Sequence, residues 1–148
     1  MRILVLGGTW FLGRTLVEQG LGRGWAVTTF TCGRSGWGVD GAQAVHGDRT
    51  DADDLARLAA AGPWDAVIDT SDQEPAMVLS AARALEPSAA RYIYLSTVNV
   101  YRGWATETLT DELPVLESHP DMAAEDEAAA QGLAPAAVPS GTPPTVSC

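Results

Sequence analysis

The sequence predicts a three-layer α/β fold built on a doubly wound parallel sheet with strand order 3-2-1-4-5. Short apolar segments alternate with segments of helical period, which is typical of parallel strands joined by right-handed helical crossovers. The first apolar segment leads through a glycine-bearing turn into a helix, an arrangement that places a ligand crevice beside the carboxyl ends of the strands. The alternation ends near Tyr101. We therefore expect a folded domain over residues 1–101 and a largely irregular, poorly ordered tail over residues 102–148.

Five segments rich in apolar and β-branched residues are predicted as the strands. The first is a continuous apolar run, as expected of a strand that is buried on both faces of a sheet. The predicted strands are Arg2–Leu6, Trp25–Thr31, Ala42–His46, Trp64–Asp69 and Arg91–Ser96.

Three helical segments connect these strands, and each ends at glycine or proline. Gly22 and Gly24 end the first helix. Asp51 is predicted to cap the second helix, with Asp54 three positions later in a spacing similar to a capping box. The third helix begins at Pro75 and ends before Pro87. The residues predicted to face the core are Phe11, Leu12, Thr15, Leu16 and Val17 in the first helix, Leu55 and Leu58 in the second, and Val78, Ala81, Ala82 and Leu85 in the third.

The composition indicates one soluble globular domain. The chain has 148 residues, of which 46% are hydrophobic, and this is enough for a sizeable core. No apolar stretch approaches the length of a membrane span, and the N-terminal apolar run is too short for a signal peptide. We therefore expect a cytoplasmic protein that does not use a membrane as a partner. The two cysteines and two histidines lack metal-ligand spacing, which argues against a metal site.

Charge is distributed unevenly along the chain. The formal net charge of −10 argues against nucleic acid as a partner. Residues 107–127 contain eight acidic residues and no arginine, and we expect this segment to be solvated. All nine basic residues are arginine, so mechanisms that require a lysine in this chain are excluded.

The turn after the first strand predicts an anion site. Gly7 permits the sharp turn, and Gly13 lets the helix pack closely on the sheet. Backbone N–H groups and the positive end of the helix dipole would face a phosphate there. Trp10 stands where the middle glycine of such turns is usual, so its indole either points away from a bound phosphate or covers it. A buried strand–turn–helix without a ligand is the alternative.

Three segments in chain order carry a family resemblance. Gly7-Gly8-Thr9-Trp10-Phe11-Leu12-Gly13 is similar to a cofactor loop in which the middle glycine is replaced. His46-Gly47-Asp48 is similar to a Gly-Asp whose carboxylate accepts a hydrogen bond from the adenine amino group. Leu95-Ser96-Thr97-Val98-Asn99-Val100-Tyr101 is similar to the Ser-Ser/Thr-x-x-Val-Tyr signature. Over about the first two-thirds of its length, the chain resembles the extended short-chain dehydrogenase/reductase family, in its NAD-dependent epimerase/dehydratase group.

The resemblance implies a Rossmann domain that binds NAD or NADP. It places Thr97 where the family has its catalytic serine or threonine. Turn capping by Asp48, and ordinary strand-end roles for Ser96 and Thr97, are the alternatives. The residues that the resemblance places at the cofactor are Gly7, Thr9, Trp10, Phe11, Leu12, Gly13, Arg34, Asp48 and Ser96.

The end of the second strand favours NADP over NAD. An acidic residue there would bind the ribose 2′-hydroxyl of NAD, but this chain reads Phe30-Thr31-Cys32-Gly33-Arg34. Arg34 could pair with a 2′-phosphate in bidentate geometry. A solvated loop arginine is the alternative.

The family's Tyr-x-x-x-Lys pair is missing from this sequence. The last tyrosine is Tyr101, and the chain has no lysine. A proline- and alanine-rich segment over residues 132–144 stands where the family would place that motif, so we expect a truncated or frame-shifted relative, with a genuine linker as the alternative.

These observations predict the function. We expect the NAD(P)-binding domain of an epimerase/dehydratase- or reductase-like enzyme for a nucleotide-sugar or similar carbonyl or hydroxyl substrate, inactive in this form. The alternative is a non-catalytic dinucleotide-binding sensor or interaction module. We also expect self-association through an open sheet edge formed by residues 92–95.

Overall fold

The computed structural model describes residues 1–34, 38–70, 74–104 and 106–117, and it divides them into two compact units. The first unit contains the described residues of 1–70 and 77–95, and the second contains residues 74–76 and the described residues of 96–117. The alanine- and glutamate-rich sequence also predicts a short helix around residues 122–131, and this segment lies outside the described residues. The predicted division at residue 101 stays a prediction. No helix in the described part of the chain is long and apolar enough to cross a membrane.

The first unit is built on a five-stranded parallel sheet of order β3-β2-β1-β4-β5, which confirms the predicted fold class. Three helices connect the strands, and short 3-10 helices follow at Glu86–Ser88 and Val98–Val100. The strands are β1 (Arg2–Leu6), β2 (Ala26–Thr31), β3 (Gln43–His46), β4 (Ala66–Asp69) and β5 (Tyr92–Tyr94). The helices are α1 (Phe11–Gly22), α2 (Ala52–Ala60) and α3 (Pro75–Leu85).

The central strand β1 supplies both cores of the three-layer unit. Alternate residues of a strand point to opposite faces, so Leu4 and Leu6 pack on one face and Ile3 and Val5 on the other. The Leu4 face carries α2 and α3, and the Ile3 face carries α1 through Val17. Burial on both faces explains why the strand is a continuous apolar run.

The buried face of α1 differs from the predicted one. Phe11, Leu12 and Thr15 are exposed, and the buried residues of α1 are Gly13, Val17 and Gly20. A Cβ on Gly20 would lie 3.0 Å from a Val27 methyl carbon, so this helix approaches the sheet more closely than large side chains allow. The prediction was therefore wrong for Phe11, Leu12 and Thr15 and right for Val17, because glycines make the rest of the contact. In α2, Leu55 and Leu58 are buried as predicted.

Several element boundaries also differ from the sequence prediction. Trp64 precedes β4 as an isolated parallel bridge to Ala89 and buries its indole. The Asp51 carboxylate caps α2 by accepting a hydrogen bond from the Asp53 N–H, as predicted. Asp54 does not complete a capping box, because its carboxylate accepts instead from the Asp48 N–H at 2.7 Å. Asp54 thus holds the turn that precedes the helix.

Replacing Leu85 with alanine should destabilise the first unit. The Leu85 side chain is fully buried in the core between α3 and the sheet. We expect the free energy of unfolding to fall by about 2–5 kcal/mol, from lost burial and the cavity that remains. Chemical denaturation measures the change. Ser80→Ala, at an exposed position of the same helix, should stay within about 0.5 kcal/mol of the parent chain, and equal effects of the two substitutions would contradict this core assignment.

Candidate functional site

A glycine pair turns the chain at the carboxyl end of β1. Gly7 and Gly8 have φ values of 99° and 106°, a region that residues with a Cβ rarely adopt. The Gly7 N–H still donates to the Phe30 carbonyl at 2.9 Å, so pairing with β2 continues into the turn. The prediction named Gly7 as the turn glycine. It missed Gly8, whose signal was a second consecutive glycine at a strand-to-helix turn.

Gly13 brings the first turn of α1 directly against this glycine pair. A Cβ on Gly13 would lie 2.7 Å from the Gly8 nitrogen and 2.8 Å from the Gly8 Cα, distances that no side chain can occupy. The same Cβ would lie 3.0 Å from the Thr70 hydroxyl oxygen, which donates to the Leu6 carbonyl. The close approach expected for Gly13 is therefore present, and Thr70 is a further residue of the turn.

The N-terminus of α1 carries no polar side-chain cap. Trp10 is the N-cap residue, with φ −97° and ψ 169°, and it forms no side-chain capping bond. The first turn of α1 has no acidic residue, whereas α2 has the Asp51 cap followed by Asp53 and Asp54. The first N–H groups of a helix have no intrahelical acceptor, so this end of α1 presents donors and positive dipole to an anion.

Large apolar side chains surround this helix end. Trp10, Phe11 and Leu12 are 77%, 89% and 47% exposed. The extended φ and ψ of Trp10 suit any residue, so a glycine is not needed here for the backbone conformation. Tryptophan in place of glycine at residue 10 therefore changes the space beside the turn and leaves the backbone conformation of the turn intact. Thr9, between the glycines and Trp10, is partly buried.

The ends of β2 and β3 lie side by side in the sheet. Thr31 pairs with His46, and the Gly47 N–H donates to the Thr31 carbonyl at 3.1 Å. Arg34 follows β2 as an exposed residue. The Thr50 hydrogen bonds lower the pKa of Asp48 most, and the Arg34 charge adds a smaller contribution in the same direction.

Asp48 organises the turn between β3 and α2. Its Oδ1 accepts hydrogen bonds from the Thr50 hydroxyl at 2.7 Å and from the Thr50 N–H at 2.8 Å. These bonds lower the pKa of Asp48, so the side chain is a carboxylate at neutral pH. Turn capping, one of the two predicted roles, is therefore present. Both bonds fall on Oδ1, and Oδ2 is left to accept from a ligand.

Ser96 and Thr97 belong to the second compact unit. Thr97 caps the 3-10 helix Val98–Val100, and its hydroxyl oxygen accepts from the Asn99 N–H at 3.3 Å. Both residues are exposed. In the same unit Tyr101 forms an antiparallel bridge with Val115, and the Leu116 N–H donates to the Val100 carbonyl at 2.7 Å. The Thr97 hydroxyl retains its proton for donation to a ligand.

The chain matches the NAD dependent epimerase/dehydratase family over residues 3–120. It belongs to that family. The match spans both the glycine turn and the Ser96-Thr97 segment, so it agrees with the resemblance found from three separate motifs. No curated protein matches the chain.

Solved structures with the same fold are distant in sequence. UDP-glucose 4-epimerase of Thermotoga maritima with UDP-glucose is 21% identical with a TM-score of 0.59, covering 68% of this chain and 39% of that one. WbmG of Bordetella bronchiseptica with NAD and UDP is 24% identical with a TM-score of 0.65, covering 78% and 43%. A short-chain dehydrogenase/reductase superfamily protein of Agrobacterium tumefaciens with NAD is 20% identical with a TM-score of 0.67, covering 90% and 42%. The chain thus spans 39% to 43% of the length of these proteins.

The comparisons bear on the choice between the two dinucleotides. The relatives above that are described with a dinucleotide contain NAD. The sequence-based preference for NADP, which depended on Arg34, finds no support among them.

Gly13→Ala should damage the glycine turn, whereas Gly22→Ala in the same helix should not. The added methyl group at residue 13 meets backbone atoms that cannot move aside, and we expect a loss of about 1–3 kcal/mol of stability. Around Gly22 a Cβ meets no atom within 4 Å, so alanine should raise stability by about 0.5–1 kcal/mol. Thermal unfolding of the two variants compares these signs, and a neutral Gly13→Ala would refute the close contact.

Proposed function

We propose that the first unit binds NAD as the cofactor domain of an epimerase-like enzyme. The observation that carries the proposal is the glycine turn, where positive φ values, the contact of Gly13 with Gly8 and an uncapped helix N-terminus coincide. The end of the helix lies directly against the turn because Gly13 has no Cβ, which would otherwise clash with the Gly8 backbone. Family membership and NAD-bound relatives of the same fold support NAD as the ligand.

The proposal gives each end of the dinucleotide its own residues. Gly7, Thr9, Trp10, Phe11, Leu12 and Gly13 form the pyrophosphate segment, in which the backbone N–H groups at the start of α1 bind the phosphates. Asp48 accepts a hydrogen bond from the adenine amino group, and Arg34 lies on the adenosine side. Ser96 and Thr97 are proposed for the nicotinamide and substrate side. NAD bound in this way would exchange a hydride with the substrate carbon.

The proposed substrate is a nucleotide sugar or a similar carbonyl or hydroxyl compound. It is supported by relatives whose structures hold UDP-glucose or UDP. The role proposed for Thr97 is to donate its hydroxyl proton to the reacting substrate oxygen and so orient it. A cytoplasmic location and self-association through β5, where Ile93 and Tyr94 are 47% and 38% exposed, stay predictions.

Isothermal titration calorimetry tests the cofactor assignment on the 148-residue chain. We expect NAD to bind with a Kd of about 1 μM or weaker, which corresponds to about −8 kcal/mol or less favourable. NADP should bind no more tightly, because Arg34 is exposed and the solved relatives described with a dinucleotide contain NAD. Absence of NAD binding at millimolar cofactor would overturn the proposed function. A clear preference for NADP would restore the selectivity role of Arg34.

The chain of 148 residues should bind NAD without measurable epimerase or dehydrogenase turnover. The Thr97 hydroxyl can donate to a substrate oxygen, but the sequence has no lysine and no tyrosine after Tyr101 to complete an acid–base pair. General acid–base groups contribute about 10²–10⁴-fold in rate. Assays with UDP-glucose and NAD check this. Turnover that Thr97→Ala abolishes, while Thr97→Ser retains it, would contradict the prediction.

A further inference from the structure

We propose that a buried ion pair between Arg49 and Asp69, completed by Tyr92, positions Asp48 for recognition of adenine. The inference rests on the proposed function, because it names the residues that hold the adenine half of the NAD site in place. In the sequence, Tyr92 stands out only as part of the sheet edge over residues 92–95, and Arg49 and Asp69 have no predicted role at a site. The three residues come from a turn, the end of β4 and the edge strand β5, so only the fold brings them together.

The three side chains form one hydrogen-bonded cluster. Arg49 donates through Nη1 to Asp69 Oδ1 at 3.2 Å and through Nη2 to Asp69 Oδ2 at 2.9 Å. The Tyr92 hydroxyl donates to the same Oδ2 at 2.6 Å. A bidentate arginine–carboxylate pair fixes direction as well as distance, because two parallel bonds define the plane of both groups. Arg49 also reaches the Met77 carbonyl of α3 at 3.4 Å.

Burial fixes the positions of the charged side chains in this cluster. Arg49 is 4% exposed and Asp69 is fully buried. A charge that leaves water is tolerated only with its partner in place, so neither side chain can shift without a large free-energy cost. Burial and the hydrogen bond to Asp69 raise the pKa of Tyr92, so its hydroxyl remains a donor throughout the physiological pH range.

The cluster joins the turn between β3 and α2, which carries Asp48, to β4, which borders the turn at Gly7 and Gly8. Arg49 directly follows Asp48 in the chain, so its side chain anchors the turn that carries the Asp48 carboxylate. Asp69 ends β4 beside Leu6 of β1, and its carbonyl accepts from the Leu95 N–H at 2.9 Å. The next residue, Thr70, donates from both its N–H and its hydroxyl to the Leu6 carbonyl, immediately before Gly7.

Bonds within the turn of Asp48 shape it, and one backbone bond holds its start against β2. The Thr50 bonds to Oδ1 and the bond from the Asp48 N–H to Asp54 join residues no more than six positions apart, and the Gly47 N–H donates to the Thr31 carbonyl. Arg49 adds a contact across 20 residues, to the end of β4. Loss of this contact leaves the internal bonds of the turn intact but removes its link to β4, so we expect Oδ2 to shift relative to the adenine amino group.

A stability role alone is a weaker explanation of this ion pair. Apolar residues of similar volume can replace a buried ion pair with no loss, or with a gain, in stability. The same replacement would remove the directional link between the turn and β4. A double substitution therefore separates the two roles, because stability and adenine recognition respond to it differently.

The experiment measures the affinities of AMP and IMP for the full chain and its variants. The 6-amino group of AMP donates to a carboxylate, whereas the 6-oxo group of IMP is an acceptor that the Asp48 carboxylate repels. We expect the parent chain to prefer AMP by about tenfold or more. Arg49→Met combined with Asp69→Leu should remove most of this preference, while thermal unfolding shows that the variant remains folded.

Two further variants keep the test decisive. Tyr92→Phe removes only the hydroxyl and should lower the AMP preference by about twofold or more. This variant tests the positioning of Asp48 if the double variant does not fold. Leu85→Ala destabilises the core against which Tyr92 packs but leaves every polar group of the cluster in place, so it should lower Tm while retaining the full preference. An unchanged preference in the double variant or, where that variant is unfolded, in Tyr92→Phe would overturn the inference, as would an equal loss in Leu85→Ala.

The parent chain distinguishes this inference from the proposed function. Failure to bind NAD and AMP at millimolar concentration would overturn the proposed function itself. Binding of NAD with no preference of AMP over IMP would leave the cofactor domain standing and overturn the positioning of Asp48 against adenine.

Discussion

The contact between Gly13 and the backbone of Gly8 is the constraint on which the candidate site depends. A helix can start this close to a strand end only where a hydrogen atom replaces a side chain, because a Cβ on Gly13 would lie 2.7 Å from the Gly8 nitrogen. The contact sets where the first N–H groups of α1 lie. It also explains why Val17 and Gly20, one and two turns later, form the remainder of the buried face.

Two places at the carboxyl edge of the sheet differ in the charge of the ligand group that they favour. The start of α1 has no acidic residue and no polar cap, so it favours an anion. The β3–α2 turn carries a carboxylate whose pKa is lowered by the Thr50 hydroxyl and N–H, so it favours a hydrogen-bond donor. A dinucleotide has phosphates at its centre and an amino group on its adenine, and these two groups complement that pattern.

A glycine at the position of Trp10 could serve two purposes, an unusual backbone conformation or space for a ligand. The φ of −97° at Trp10 is ordinary, so no backbone strain requires glycine at this position. What glycine would supply is space beside the phosphates. The exposed indole instead adds an apolar surface next to Phe11 and Leu12, at the helix end that the proposal assigns to the pyrophosphate.

Local and periodic features of the sequence determined most of the fold. Alternating strand and helix patterns predicted the order 3-2-1-4-5, and Gly7, Gly13 and Asp51 were assigned their structural roles correctly, because turn and cap chemistry depends on near neighbours. Phe11, Leu12 and Thr15 were wrongly assigned to the buried face of α1, because the depth of helix packing depends on which strand residues, here Val27 and Ile3, lie opposite its glycines.

Only the tertiary structure decided which polar residues meet. No local motif marks Arg49, Asp69 or Tyr92, which are separated by 20 and 23 residues along the chain. Each residue alone suggests a solvated side chain or a strand position. Folding buries Arg49 and Asp69 together at the end of β4, where a charge persists only beside its partner, and brings the partly buried Tyr92 to them. The sequence by itself determined the sheet, the glycine turn and the family, because these follow from local conformation and chain order. The buried cluster was decided by long-range packing, which no local pattern encodes.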